Sequence, residues 1–126
     1  MELDLHDGLL AVCRLGADAP LPVWVVSGGG PLHAVVRTSA ELSIVTEEGA
    51  VPGDVTAERG WRAIAVRGPL DFGTTGVLAD LARALADAEV PIFVISTYDT
   101  DWILVPGAKL DDAVTTLTSA GHHVYD

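Results

Sequence analysis

The sequence has little of three things: cysteine, basic residues and long apolar runs. Cys13 is the only cysteine in 126 residues, so no disulfide can form within the chain, as is usual in a reducing compartment. The opening residues, MELDLHDG, carry acids where a secretory signal needs Lys or Arg, and no apolar run reaches the roughly 18 residues of a membrane span. We therefore expect a cytoplasmic protein with no membrane partner.

The shortage of basic residues limits the partners that the surface can attract. Seven Lys and Arg stand against 18 Asp and Glu, which gives a formal net charge of −11. Such a surface repels phosphate backbones and anionic lipids, so no nucleic-acid partner is expected. It favours a cationic or zwitterionic ligand, although solubility alone also explains it. A hydrophobic fraction of 49% is ample for a folded core.

No set of side chains for catalysis or metal binding is readable. The four histidines are scattered without His or Cys ligand spacing, and no Ser/His/Asp or Cys/His arrangement stands out. Cys13 lies in the apolar run Leu9–Leu15, which is predicted to be a strand and favours a buried structural thiol over a nucleophile. The sequence thus predicts no catalytic residues, no metal site, no cofactor and no enzymatic activity.

Two segments sixty positions apart match without a gap, Pro31–Val45 and Pro91–Val105. Each consists of a proline, a strand-like run, a polar turn that ends in an acid, and a second strand-like run. The match predicts two structural repeats, which we place at residues 1–60 and 61–126.

The second repeat has the clearer pattern and predicts the order β-α-β-β-α-β. Its expected elements are a strand at Trp61–Arg67, a helix at Gly76–Ala88, strands at Val90–Tyr98 and Trp102–Val105, a helix at Lys109–Ala120 and a strand at His122–Tyr125. Val90–Tyr98 is almost continuously apolar, which is typical of a central strand. The first repeat has room only for a short helix around Val23–Val26 and for none in Glu47–Gly60, so it is predicted to be degenerate.

Three stretches carry a family resemblance: Gly68–Ala79 (GPLDFGTTGVLA), Pro91–Asp101 (PIFVISTYDTD) and Ile103–Val105. They resemble small bacterial ACT-domain proteins, which are related to the regulatory domains of aspartate kinase and to CASTOR-type arginine sensors. The resemblance implies an α+β fold of tandem ferredoxin-like ACT units, each β-α-β-β-α-β, with antiparallel sheets and helices on one face. It also implies an amino-acid ligand at the interface between the repeats.

The same resemblance assigns the ligand to the interface between the loop after the first strand of one unit and the second-strand edge of its neighbour. In this sequence these are Leu70–Gly76 and Ser96–Asp101. The candidate ligand-binding residues are Leu70, Asp71, Phe72, Gly73, Thr74, Thr75, Gly76, Ser96, Thr97, Tyr98, Asp99 and Asp101.

The chemistry of the two segments is complementary to an amino acid. Free amides near Phe72–Gly76, where the predicted helix starts, suit a carboxylate, whereas Asp71, Asp99 and Asp101 suit an ammonium group. Structural roles remain open for many of these residues. A threonine at position 74 or 75 is also suited to capping the helix, Asp99 to holding the turn, and the aromatic residues Phe72 and Tyr98 to a place in the core.

The sequence therefore predicts an amino-acid-binding regulatory or sensor protein of the ACT type. The alternative is a protein–protein interaction module with no small ligand. Incomplete repeats leave sheet edges and apolar faces that proteins usually cover, so we also expect a homodimer.

Overall fold

The computed structural model describes residues 1–126, which form two compact units. Unit 1 consists of Met1–Asp7 and Arg62–Asp126, and unit 2 of Gly8–Trp61. The elements in chain order are β1 (Glu2–Leu15), α1 (Val23–Ser27), β2 (Ala34–Arg37), β3 (Leu42–Glu47), β4 (Ala57–Val66), α2 (Val77–Asp87), β5 (Phe93–Ser96), β6 (Asp101–Pro106), α3 (Leu110–Ser119) and β7 (His123–Tyr125). Short 3-10 turns follow β3 and β6, at Glu48–Ala50 and Gly107–Lys109.

Unit 1 has the predicted β-α-β-β-α-β order from β4 to β7, so the α+β class is confirmed. Its strands are ordered β7-β1-β4-β6-β5. The hairpin of β5 and β6 is antiparallel, as expected. β7 instead runs parallel to β1, with Glu2 opposite His123, so the sheet departs from a fully antiparallel arrangement at this pair.

The start of β1 is a strand that the sequence interpretation missed, because the strand was expected to begin at Leu9. Residues 2–6 alternate acidic or histidine side chains with Leu3 and Leu5. Leu3 is fully buried in the core of unit 1, and Leu5 packs against that core. The period-two pattern was therefore present in the sequence, and it supplies an extra strand between β4 and β7.

The helices α2 and α3 contact each other, and the buried side chains of both lie in the core of unit 1. Leu81 and Leu85 of α2 and Ala113 and Leu117 of α3 lie one turn apart on their helices, which is why each helix buries a single stripe. Gly121 comes directly after Ala120, the residue that caps the end of α3, and has a φ of +95°, in agreement with its predicted place just after the helix. None of the helices is long and apolar enough to cross a membrane.

The expected central position of Val90–Tyr98 is wrong. The strand is only β5, Phe93–Ser96, and it lies at the edge of the sheet with β6 as its single partner. Val94 packs against the core, whereas Ser96 is exposed. The apolar run is longer than the strand because Val90 and Ile92, which precede β5, also pack in or against the core.

Unit 2 has the strand order β2-β3-β1-β4 and one short helix, α1, at the place predicted for it. No α-helix follows β3, also as predicted, and only the 3-10 turn at Glu48–Ala50 lies there. Its small core includes Cys13, which is 2% exposed, together with Val25 and Ile44. The thiol is thus a buried core group.

The two hairpins match at an offset of 59 residues, whereas the sequence comparison placed it at sixty. Ala34 and Phe93 open the hairpins, and the bounds of both strands and of the following 3-10 turn then correspond one to one. The pairing agrees, because Ala34 faces Val45 and Phe93 faces Leu104. A one-residue shift turns each strand over, so the correct offset determines which residues are equivalent.

Candidate functional site

A cleft of about 310 Å³ opens in unit 1 where the loop between β4 and α2 meets the turn between β5 and β6. All of the lining residues belong to unit 1. They are Leu70, Asp71, Phe72, Thr74, Gly76, Val77, Leu78, Ala79, Thr97, Tyr98, Asp99, Thr100 and Asp101.

The cleft brings together most of the candidate residues from both predicted segments. Gly73, Thr75 and Ser96 do not line it. The residues missed by the sequence interpretation are the first helical turn, Val77–Ala79, and Thr100 of the turn. The helical residues were foreseeable, because a helix that begins after Gly76 places its first amides next to the loop.

Hydrogen bonds to main-chain carbonyls connect the turn to the loop and to the end of β4. The amide of Leu70 donates to the carbonyl of Asp99 across 2.7 Å, and the Thr100 hydroxyl donates to the carbonyl of Val66 across 2.5 Å. Within the turn, the Thr97 hydroxyl donates to the carbonyl of Thr100 across 3.1 Å. The turn is therefore held by main-chain carbonyls and two threonine hydroxyls, and most other side chains of the cleft make no hydrogen bond.

The first turn of α2 has no side-chain cap. Gly76 precedes the helix with a φ of +85° and a ψ of −15°, and no side chain accepts a hydrogen bond from the helical amides. The interpretation of Thr74 or Thr75 as the helix cap is therefore wrong. The amides of Val77, Leu78 and Ala79 face the start of the helix, where partial positive charge accumulates.

The three carboxylates of the cleft differ in their partners. Asp71 and Asp99 make no side-chain hydrogen bond or ion pair within the chain, whereas Asp101 accepts a hydrogen bond from the Ser96 hydroxyl across 2.7 Å. The expected role of the Asp99 side chain in holding the turn is wrong, because the side chain of Thr97 makes those bonds. Two carboxylates thus remain available to a ligand.

Phe72 and Tyr98 form an aromatic wall outside the core. Their ring centroids lie 4.8 Å apart, one ring on the loop and the other on the turn. Phe72 is 79% exposed and Tyr98 is 81% exposed, so their interpretation as core residues is wrong. Large exposed rings that face each other offer an apolar surface to a bound molecule.

The lining contains three carboxylates and no Lys, Arg or His. It also contains the uncapped amides of α2 and two aromatic rings. The arrangement can therefore accept a carboxylate at the amides, a cation at the aspartates and an apolar group at the rings. No group of three His, Cys, Asp or Glu side chains is arranged as a metal site.

Comparison with protein families gives matches over both parts of the chain. A family model described as an ACT domain matches residues 56–119. A second model, described as the N-terminal domain of another family, matches residues 8–54. The first match covers the cleft in full.

Solved structures share the fold. A structural-genomics protein from Agrobacterium tumefaciens is 33% identical, with 98% of this chain and 91% of that one covered and a TM-score of 0.90. A protein of unknown function from Vibrio cholerae, described as a possible transport protein, is 20% identical, with 94% and 88% covered and a TM-score of 0.76. The ligand-free regulatory subunit of aspartate kinase from Thermus thermophilus is 13% identical, with 94% and 96% covered and a TM-score of 0.66.

Proposed function

The chain belongs to the ACT-domain family, and from this premise we propose that it is a non-enzymatic regulatory or sensor protein that binds an amino acid. The regulatory subunit of aspartate kinase has the same fold, which supports a regulatory role. The relationship to CASTOR-type arginine sensors remains a prediction.

The observation that carries the proposal is the composition of the cleft in unit 1. Uncapped helix amides lie opposite two unpartnered carboxylates, and a ligand with one negative and one positive group complements both. A volume of about 310 Å³ is at the lower end of the roughly 300–1,000 Å³ of small-molecule sites, which suits a single amino acid.

The proposed pose follows from these groups. The ligand's α-carboxylate accepts hydrogen bonds from the amides of Val77–Ala79, and its ammonium group lies at Asp71 or at the carboxylates of Asp99 and Asp101. Phe72 and Tyr98 border the ligand's side chain. Gly76 has no side chain, and no other atom lies within 4 Å of the position that a Cβ would take. The approach to the start of the helix is therefore open at this residue.

A basic amino acid such as arginine or lysine is the favoured ligand class. The lining holds three carboxylates and no cationic side chain, so a second positive charge on the ligand meets attraction and no repulsion. The acids must lie close to act in this way, because salt screens charge interactions beyond about 8 Å.

The proposal is tested by a thermal-shift screen of the twenty amino acids, followed by calorimetry. Ligand at about 100 times Kd should stabilise the protein by about 2.7 kcal/mol. Asp71→Asn and Asp99→Asn should each weaken binding at least severalfold, because these are the two carboxylates without a partner in the chain. Asp87→Asn, an exposed site on α2 outside the cleft, is the control and should bind like the wild type.

Two results would contradict the proposal. If no amino acid binds, the cleft is not an amino-acid site. If one binds and neither cleft variant weakens it, the carboxylates do not hold the ammonium group, and the site lies elsewhere.

The second candidate function is an interaction module without a small ligand. The exposure of Phe72 and Tyr98 favours it, because adjacent exposed aromatic residues are typical of protein contacts. The thermal-shift screen separates the two functions, since a pure interaction module gives no shift with any amino acid.

We also propose that the protein is a cytoplasmic homodimer and that residues 1–60 form a degenerate repeat of the domain at 61–126. The edge position of β5 supports self-association, because its outer backbone groups are unpaired within the sheet. Light scattering should give twice the chain mass, and a monomer at high micromolar concentration would exclude the dimer.

A further inference from the structure

The turns of the two hairpins are built alike, which identifies the counterpart of the cleft in unit 2. The amide of Thr38 donates to the carbonyl of Glu41 across 2.9 Å, and the amide of Thr97 donates to that of Thr100 across 2.8 Å. Each threonine hydroxyl also accepts from the last amide of its turn. By this equivalence the counterpart is formed by the turn at residues 38–41 and the loop at residues 16–22.

In this counterpart, an arginine of the chain occupies the loop's hydrogen-bonding groups. The Arg37 guanidinium donates hydrogen bonds to the carbonyls of Ala17 and Ala19, the second across 2.8 Å. Arg14 donates to the carbonyl of Ala40 across 3.2 Å and thus reaches the turn. The residue equivalent to Arg37 in unit 1 is Ser96, which donates only to Asp101 and leaves the loop untouched.

The other ligand-binding features of unit 1 are only partly present in unit 2. Ser39 and Ala40 occupy the positions equivalent to Tyr98 and Asp99, which supply the aromatic ring and the free carboxylate in the turn of unit 1. The helix that follows the loop is only five residues long, against 11 for α2. Unit 2 retains an acid in its loop, Asp18, and helix amides without a side-chain cap, but it lacks the ring and the carboxylate that Tyr98 and Asp99 supply in unit 1.

We infer that Arg37 closes the counterpart in unit 2, so that each chain holds one small ligand, in unit 1, and that removing Arg37 creates a site for a guanidinium cation at the carbonyls of Ala17 and Ala19. The number of ligands rests on the proposed function. The cation site rests only on the contacts of Arg37.

The cation site is tested with methylguanidinium chloride on Arg37→Ala. Arg37 is exposed, so its removal leaves the core intact. Millimolar methylguanidinium should raise the Tm of this variant above that in an equal concentration of sodium chloride, and should shift the amide NMR resonances of residues 16–19. The wild type and Arg37→Lys should show neither effect, because a side-chain cation already occupies the carbonyls.

Arg59→Ala is the matched control, since Arg59 also donates to two main-chain carbonyls of unit 2, those of Val51 and Pro52. Even if methylguanidinium changes the Tm of Arg59→Ala, the amide NMR resonances of residues 16–19 should not shift. If methylguanidinium neither stabilises Arg37→Ala nor moves those amides, the inferred cation site is wrong.

The number of ligands is tested by calorimetry of the wild type with L-arginine. One binding event per chain is expected, and two would overturn the closed counterpart. If L-arginine does not bind, the preference for a basic ligand is wrong, and the methylguanidinium experiment alone decides whether Arg37 fills a cation site.

Discussion

The hydroxyl of Thr100 donates a hydrogen bond to the carbonyl oxygen of Val66, across 2.5 Å, and so fastens the turn after β5 to the end of β4. The bond is part-buried, and its acceptor residue is 1% exposed. The position of the turn relative to the loop, and hence the width of the cleft, depends on it.

Thr100→Val removes this hydroxyl with little change of shape. The free energy of unfolding should fall by about 1 kcal/mol, the usual net value of one hydrogen bond plus some cost for the unpaired carbonyl. Urea unfolding measures it. Thr118→Val, at an exposed position of α3, is the control and should stay within about 0.5 kcal/mol of the wild type. Equal losses in both variants would show that the hydroxyl of Thr100 has no special role.

Gly76 and Gly73 form a matched pair in the same loop. Gly76 has a φ of +85°, whereas Gly73 has no left-handed φ, and an added Cβ meets nothing within 4 Å at either position. Gly76→Ala should therefore lose about 1 kcal/mol of stability from backbone strain alone. Gly73→Ala should be neutral or slightly stabilising, because it restricts the unfolded chain. Thermal unfolding of the two variants checks the difference, and a stable Gly76→Ala would show that the turn before α2 adapts.

Asp4 should make the stability of the protein sensitive to acid. Arg67 donates two hydrogen bonds to its carboxylate, across 3.1 and 2.5 Å, and these bonds hold the pKa of Asp4 below its usual value of 3.8. Because the folded pKa is the lower one, the contribution is full above the unfolded pKa and is lost as the pH falls through the folded pKa.

Asp4→Asn should accordingly lose stability at neutral pH and lose less than the wild type on acidification below pH 3.8. Urea unfolding at neutral pH and at a pH below 3.8 measures both effects. Asp87 makes no such ion pair, so the variant Asp87→Asn is the control and its stability should change with pH as that of the wild type does. A variant at Asp4 that follows the wild type at both pH values would exclude the pair from the acid response.

Cys13 should be unreactive in the folded protein. Burial raises the pKa of its thiol, although the nearby charge of Arg59 opposes this, and only the thiolate reacts with alkylating agents. Iodoacetamide at mildly alkaline pH should modify the native chain far more slowly than the chain in urea. Because there is one cysteine, the mass increase counts the reacted molecules directly. Equal rates in both states would show that this part of the core opens freely.

The sequence predicted the elements of unit 1 well because their patterns are strong and local. The stripe of α2 and the polar turn after β5 are visible in short windows. The edge position of β5 is not visible in such a window, because an apolar run does not reveal how many neighbouring strands a strand has. The strand at residues 2–6 was overlooked although its alternation was readable.

The candidate site was predicted from the two segments that line it, yet the roles of single residues were not. Whether Thr74 caps α2, or Asp99 holds its turn, depends on rotamers and on distances of a few ångströms. The function of Arg37 was invisible for a different reason: its acceptors, the carbonyls of Ala17 and Ala19, are main-chain groups that every residue has.

The pairing of Glu2 with His123 has a consequence for synthesis on the ribosome. Residues 2–7 lie between β4 and β7 in the sheet of unit 1, and β7 is translated more than a hundred residues after them. The sheet of unit 1 is thus completed only when residues 123–125 have left the exit tunnel, whereas all of unit 2 has been made by residue 61. Such long-range pairing slows folding, so one edge of the N-terminal strand stays unpaired until β7 is made, even after β4 has paired with its other edge.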